Sequence, residues 1–134
     1  CTLPILSCMF LCSSGSEEHK NMQDILPFLY DIFRANMAEV RDRIIPIRAD
    51  WKDGLGEILQ HGVHPDIIYV DWNHEEAAVA EQLEYISDNF PAAQICGDDW
   101  TWPGVRKAVE EFASRTGMQI ASDYSCWQLI EARA

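Results

Sequence analysis

Residues 65–72, PDIIYVDW, carry the strongest strand signal in the chain. Four consecutive apolar residues, Ile67 to Val70, bounded by Asp66 and Asp71, leave no polar stripe for a solvated face. Such a run is the mark of a strand buried on both faces, and strands of that kind belong to parallel sheets with helices above and below. The chain around it must then alternate strand and helix.

It does alternate from residue 24 onward. Asp24 can cap a helix with Pro27 in its first turn and Ile25, Leu29, Ile32, Phe33, Met37 and Val40 along one side. RIIPIRAD (43–50) reads as a strand, and GLGEILQHG (54–62) as a short helix stopped by Gly62. HEEAAVAEQLEYISDNF (74–90) places Val79, Leu83, Ile86 and Phe90 on one helical stripe, which Pro91 ends. AAQICG (92–97) is a strand, and 103–116 a helix with Val105, Ala108, Val109, Phe112 and Ala113 inward and Gly117 closing it. MQIASDY (118–124) and CWQLIEAR (126–133) read as two closing strands in a tight antiparallel hairpin. The expectation is an α/β fold whose sheet is mainly parallel, with right-handed crossovers and a C-terminal antiparallel hairpin. By this reading residues 1–20 are an irregular N-terminal remnant and 21–134 the domain proper.

Composition narrows the partners. Ten Lys and Arg against twenty-two Asp and Glu leave a net charge of -12 on 134 residues, enough for one domain with a core. A surface that acidic repels phosphate backbones and anionic lipid, which argues against nucleic acid and membrane as partners. No stretch reaches the ~20 apolar residues a bilayer crossing needs. The opening CTLPILSCMFLC looks like a signal-peptide core but lacks a starting Met and a basic flank, so a chain beginning at Cys1 reads as the continuation of something longer. The five cysteines, at positions 1, 8, 12, 96 and 126, fit no zinc spacing and read as buried reduced thiols, which favours the cytoplasm.

The chemistry concentrates at strand ends. In an open parallel sheet, ligands bind beyond the carboxyl ends of the strands. Asp71 ends one expected strand, and Asp98 and Asp99 end the next. If the two strands are neighbours, about 4.8 Å apart, three carboxylates converge. They would repel one another unless a divalent cation, Mg²⁺ or less readily Mn²⁺, joined them. The competing account is that Asp98 or Asp99 caps the following helix, which leaves the second aspartate and Asp71 unexplained. His74, three residues past Asp71, is either a general base or an exposed helix-start residue. Trp72, Trp100 and Trp102 flank the acids and either wall a pocket for a small ring or simply pack. Gly97 and Gly104 read as close-approach positions.

These residues resemble a known family. PDIIYVDWNHEEAAVAEQL, then ICGDDWTWPGVRKAVEEFA, then CWQLIEAR resemble the class I S-adenosylmethionine-dependent methyltransferases, across residues 15 to 134. The resemblance is to the metal-dependent branch that methylates small-molecule hydroxyls. It implies a partial Rossmann-like sheet in which Asp71, Asp98 and Asp99 hold Mg²⁺ or Mn²⁺, with His74 as the base. It also places Asp50 and Trp51 near the adenine of S-adenosylmethionine. The family's glycine-rich turn has no counterpart here, so the first strand or strands are missing, and the exposed sheet edge would invite self-association. The expected function is a Mg²⁺-assisted O-methyltransferase-like fragment acting on a small-molecule hydroxyl acceptor. The alternative is a non-catalytic, truncated module that binds metal or self-associates. A phosphohydrolase is a weaker third reading, since no phosphate-gripping glycine loop or basic cluster accompanies the acids.

Overall fold

A computed structural model describes residues 26–131, in two compact units divided between Glu57 and Ile58. The first holds helix α1 (Leu26–Asn36), a short 3-10 helix (Ala38–Arg43) and the start of α2 (Trp51–Gln60). Asp50 begins α2 by accepting the Lys52 N–H at 3.1 Å on its Oδ1, and Gly62 at φ 65 lies just past its end. The expected strand at 43–50 is not formed. Its first residue closes the 3-10 helix, and Pro46 lacks the N–H a sheet ladder requires. Ile32, expected on the inner side of α1, is 48% exposed. The N-terminal segment 1–20, with Cys1, Cys8 and Cys12, lies outside the described residues, as do Asp24 and Ile25.

The second unit carries a four-stranded sheet in the order β1 (Ile67–Val70), β2 (Gln94–Gly97), β4 (Cys126–Ile130), β3 (Gln119–Asp123). β1 and β2 pair in parallel, whereas β4 runs antiparallel to both β2 and β3. The sheet is therefore mixed and not mainly parallel: one pair is parallel, and the expected hairpin supplies the antiparallel part.

Helices α3 (Glu76–Asn89) and α4 (Pro103–Thr116) pack on each other and bury the stripes their spacing predicts. Val79, Leu83, Ile86 and Phe90 meet burial of at least 97%, and so do Val105, Ala108, Val109, Phe112 and Ala113. Each large side chain so buried contributes roughly 1.5–3 kcal/mol. Pro103 starts α4, where its missing N–H costs nothing, and Gly117 at φ 75 ends it in the left-handed conformation. Lys107 of α4 pairs with Glu76 at the start of α3 at 2.8 Å.

The sheet has one covered face and one open face. Ile68, Val70, Ile95, Trp127 and Leu129 are buried, while their strand neighbours Ile67 (64%), Tyr69 (48%) and Ile130 (38%) are exposed. PDIIYVDW is therefore covered on one side only, and its alternation follows the two-residue period of a strand rather than the hydrophobicity of the run. The free thiols share the open side: Cys96 is half-buried and Cys126 exposed, which corrects the expectation that both lie in the core.

Candidate metal and acid–base site

The register of the parallel pair sets the site. Val70 lies opposite Gly97, so the next residues, Asp71 and Asp98, leave adjacent strand ends side by side. Gly97 is required there because a Cβ would lie 2.5 Å from both the Trp127 ring and the Val70 carbonyl oxygen. The chain then turns sharply. Asp99 takes a left-handed backbone at φ 59, a conformation that costs most residues about 1–2 kcal/mol and that aspartate tolerates better than most. The turn is closed by the Trp102 N–H on the Asp99 carbonyl at 2.8 Å and anchored by the Trp100 N–H on the Ser125 carbonyl at 2.7 Å.

This geometry sends the two adjacent aspartates in different directions. Asp99 Oδ2 meets His74 Nε2 at 2.5 Å. One ligand atom each from Asp71, His74 and Asp99 lies within 4.8 Å of the others. Asp98 stands outside that trio. Its Oδ1 accepts the Ser125 hydroxyl at 2.6 Å and the Asp99 N–H at 2.8 Å, and its carbonyl accepts the Trp127 indole N–H at 2.8 Å.

The electrostatics follow. Partial burial pushes the Asp71 carboxyl above its ordinary range, and the charges of Asp99 and Asp98 push it further, against the opposing pull of His74. Asp98 moves the other way, because hydrogen bonds from Ser125 and the Asp99 N–H favour its ionised form. On the open face, burial, a contact with Cys126 and the charge of Asp98 raise the Tyr69 hydroxyl.

His74 is held from several sides. Its ring stacks on Trp102 with centroids 4.6 Å apart. Its carbonyl oxygen lies in hard contact with the place where a Cβ on Gly104 would stand, and Glu76 N is 3.0 Å from that point. Gly104 therefore lets α4 approach the loop after β1. Asn73 tightens that loop by accepting the Glu75 N–H at 2.8 Å.

The tryptophans separate. Trp102 is 46% exposed over His74, Trp100 is half-buried under the Arg106 guanidinium at 5.2 Å, and Trp72 is half-buried. Two cavities, of about 510 and 310 Å³, are lined by other residues, the first around Arg34 and Arg41, the second around Cys96 and Cys126. Neither cavity is lined by Asp71, His74 or Asp99.

A divalent cation fits the trio. Ligand atoms within 4.8 Å of one another suit a central ion with bonds of about 2.0–2.6 Å, and the ion would relieve the repulsion on Asp71. With His74 in the set, the donors are no longer all oxygen, and a mixed nitrogen–oxygen set widens the choice beyond Mg²⁺ to Mn²⁺ or Zn²⁺. The S-adenosylmethionine contacts fit less well. Asp50 is exposed with its Oδ1 on the α2 cap, and Trp51 is only 8% exposed, with the Lys52 ammonium 5.8 Å from its ring. The buried Trp51 offers no open face to an adenine.

Ser125 is the residue that sequence reasoning missed. It shares the two-residue turn between β3 and β4 with Tyr124, and only the pairing of β4 with β2 brings that turn beside Asp98. No protein-family model matches the chain, and no curated protein matches it.

Proposed function

We propose that this chain is the acceptor-side part of a metal-dependent O-methyltransferase-like domain of Rossmann-like type, acting on a small-molecule hydroxyl. One observation carries the reading: Asp71, His74 and Asp99 converge at the carboxyl ends of a parallel strand pair. The helix crossover between these strands and the closing antiparallel hairpin also agree with the resemblance.

Asp71 and Asp99 would hold the cation, which supplies Lewis acidity toward a bound hydroxyl. His74 Nδ1, the ring nitrogen that does not face Asp99, accepts the hydroxyl proton, while Asp99 accepts the Nε2–H, orients the imidazole and stabilises its charged form, as the 2.5 Å contact permits. Trp102 fixes the ring plane and offers an exposed aromatic surface to an acceptor ring. Asp98, carried over by the resemblance as a third ligand, serves this site less directly. The free thiols of Cys96 and Cys126 agree with the cytoplasmic placement that forms part of this proposal.

The test is methyl transfer from isotopically labelled S-adenosylmethionine to phenolic and sugar hydroxyls, with Mg²⁺ or Mn²⁺ present or chelated. Metal-dependent transfer that His74→Gln abolishes supports the reading. A second reading, a non-catalytic metal-binding or self-associating module, is favoured by the capping Asp50 and buried Trp51 and by the exposed Ile67 and Tyr69 on β1. Cation-induced stabilisation with no transfer to any acceptor would select it.

A further inference from the structure

Two aspartates adjacent in sequence serve this site in different ways. We infer that Asp98 is a positioning residue, not a ligand: through Ser125 it locks the left-handed turn that aims Asp99 at His74. The inference rests on the proposed cation site for its metal arm, but its geometric core stands on contacts within the chain.

Asp98 makes three connections, each to a different part of the second unit. Its Oδ1 accepts the Asp99 N–H at 2.8 Å, which braces the residue whose φ is 59. The same oxygen accepts the Ser125 hydroxyl at 2.6 Å, from the turn between β3 and β4. Its carbonyl accepts the Trp127 indole N–H at 2.8 Å, from a ring that is 98% buried. Tyr69 and Cys126 also face it from the open side of the sheet, the Cys126 thiol at 4.0 Å. Its Oδ1 already accepts two donors, and ligand atoms of Asp71, His74 and Asp99 gather within 4.8 Å of one another without Asp98.

The turn at Asp99 depends on this bracing. A left-handed non-glycine residue persists where its surroundings over-determine it. Here the Trp100 N–H on the Ser125 carbonyl and the Asp98–Ser125 bond tie the turn to the hairpin twice. Loss of the Ser125 hydroxyl would free the Asp98 carboxylate to swing, and Asp99 would lose its fixed direction toward His74.

The experiment has two arms on the purified 134-residue chain. In the first, without metal, ring ¹⁵N resonances of His74 are recorded and assigned with His74→Gln. Asp98→Ala and Ser125→Ala should move them toward the Asp99→Asn values, while Asp98→Asn, which keeps an oxygen acceptor, should stay near wild type. Unmoved His74 resonances in both Asp98→Ala and the milder Ser125→Ala would overturn the role. In the second arm, Mn²⁺ affinity is titrated. Asp98→Asn should stay within about threefold of wild type, and Ser125→Ala should weaken binding about three- to tenfold, the range of one hydrogen bond. Asp98→Asn as damaging as Asp99→Asn would make Asp98 a ligand and overturn the inference. Wild type without Mn²⁺ affinity would instead remove the cation site, with the first arm still deciding the positioning role.

Discussion

The loops after β1 and β2 leave neighbouring strands at the same level, yet they are built in opposite ways. The β2 loop is stitched to the rest of its unit by the Asp98–Ser125, Asp98–Trp127, Trp100–Ser125 and Asp99–Trp102 hydrogen bonds. The β1 loop has its own Asn73 turn and takes up contacts that the β2 loop and α4 present to it: Asp99, Trp102 and Gly104. Their acids differ accordingly, with Asp71 raised by burial and like charge and Asp98 lowered by donors. In the proposed site the β2 loop is the fixed arm, and the β1 loop the dependent arm that takes its position from it. That division of labour could not come from three equivalent carboxylates.

Breaking the fixed arm should have the largest effect. Gly97→Ala drives a methyl into the Trp127 ring and the Val70 carbonyl, so overpacking should cost about 3 kcal/mol and lower Tm by roughly 10 °C. Thermal unfolding by circular dichroism reads it, and an unchanged Tm would mean the strand ends are looser than described.

Disturbing the dependent arm should cost less and fall on the site. Gly104→Ala presses on the His74 carbonyl and should cost roughly 1–2 kcal/mol while displacing the imidazole from Asp99. The expected signature is a modest Tm loss together with a His74 ring resonance shift. A fall in Tm without that shift would show that α4 does not position His74.

The smallest effect sharpens the contrast in charge. Asp71 has a folded pKa above its unfolded value, so its contribution to stability is full below the unfolded pKa and is lost as pH rises through the folded one. At neutral pH its ionised form is a liability, and Asp71→Asn should raise stability by a few tenths of a kcal/mol, kept small by solvent screening. The gain should vanish in acid, below the folded pKa, where Asp71 is already protonated. Asp98 carries the opposite sign, so removing its charge should cost stability at neutral pH and less in acid. Melting curves from pH 3 to 8 check both, and a gain from Asp71→Asn that grows in acid would reverse the account.

Much of the second unit was legible because its helices obey the 3.6-residue period. The stripes from Val79 to Phe90 and from Val105 to Ala113 are buried as their spacing requires. That period did not announce Gln82, which is 0% exposed among them with neither side-chain nitrogen nor oxygen partnered among the described residues. RIIPIRAD misled because β-branched residues describe a strand only where a neighbour exists to pair with, and Pro46 interrupts any ladder. PDIIYVDW misled about coverage because the apolar run records hydrophobicity on both sides, whereas the helices that cover a sheet are placed by topology. At the site, the convergence of Asp71 and Asp99 was readable from strand ends. The parting of Asp98 from Asp99 was not, because it turns on one left-handed residue and on Ser125, 27 positions away from Asp98.

The most direct test is a Mn²⁺ titration followed by thermal unfolding, on wild type and on Asp71→Asn with Asp99→Asn. A cation held between Asp71 and Asp99 should raise the wild-type unfolding free energy by about 2.7 kcal/mol at a hundredfold excess over Kd, and the double variant should gain nothing. An equal rise in both proteins, or none in either, would contradict a shared ion at these strand ends.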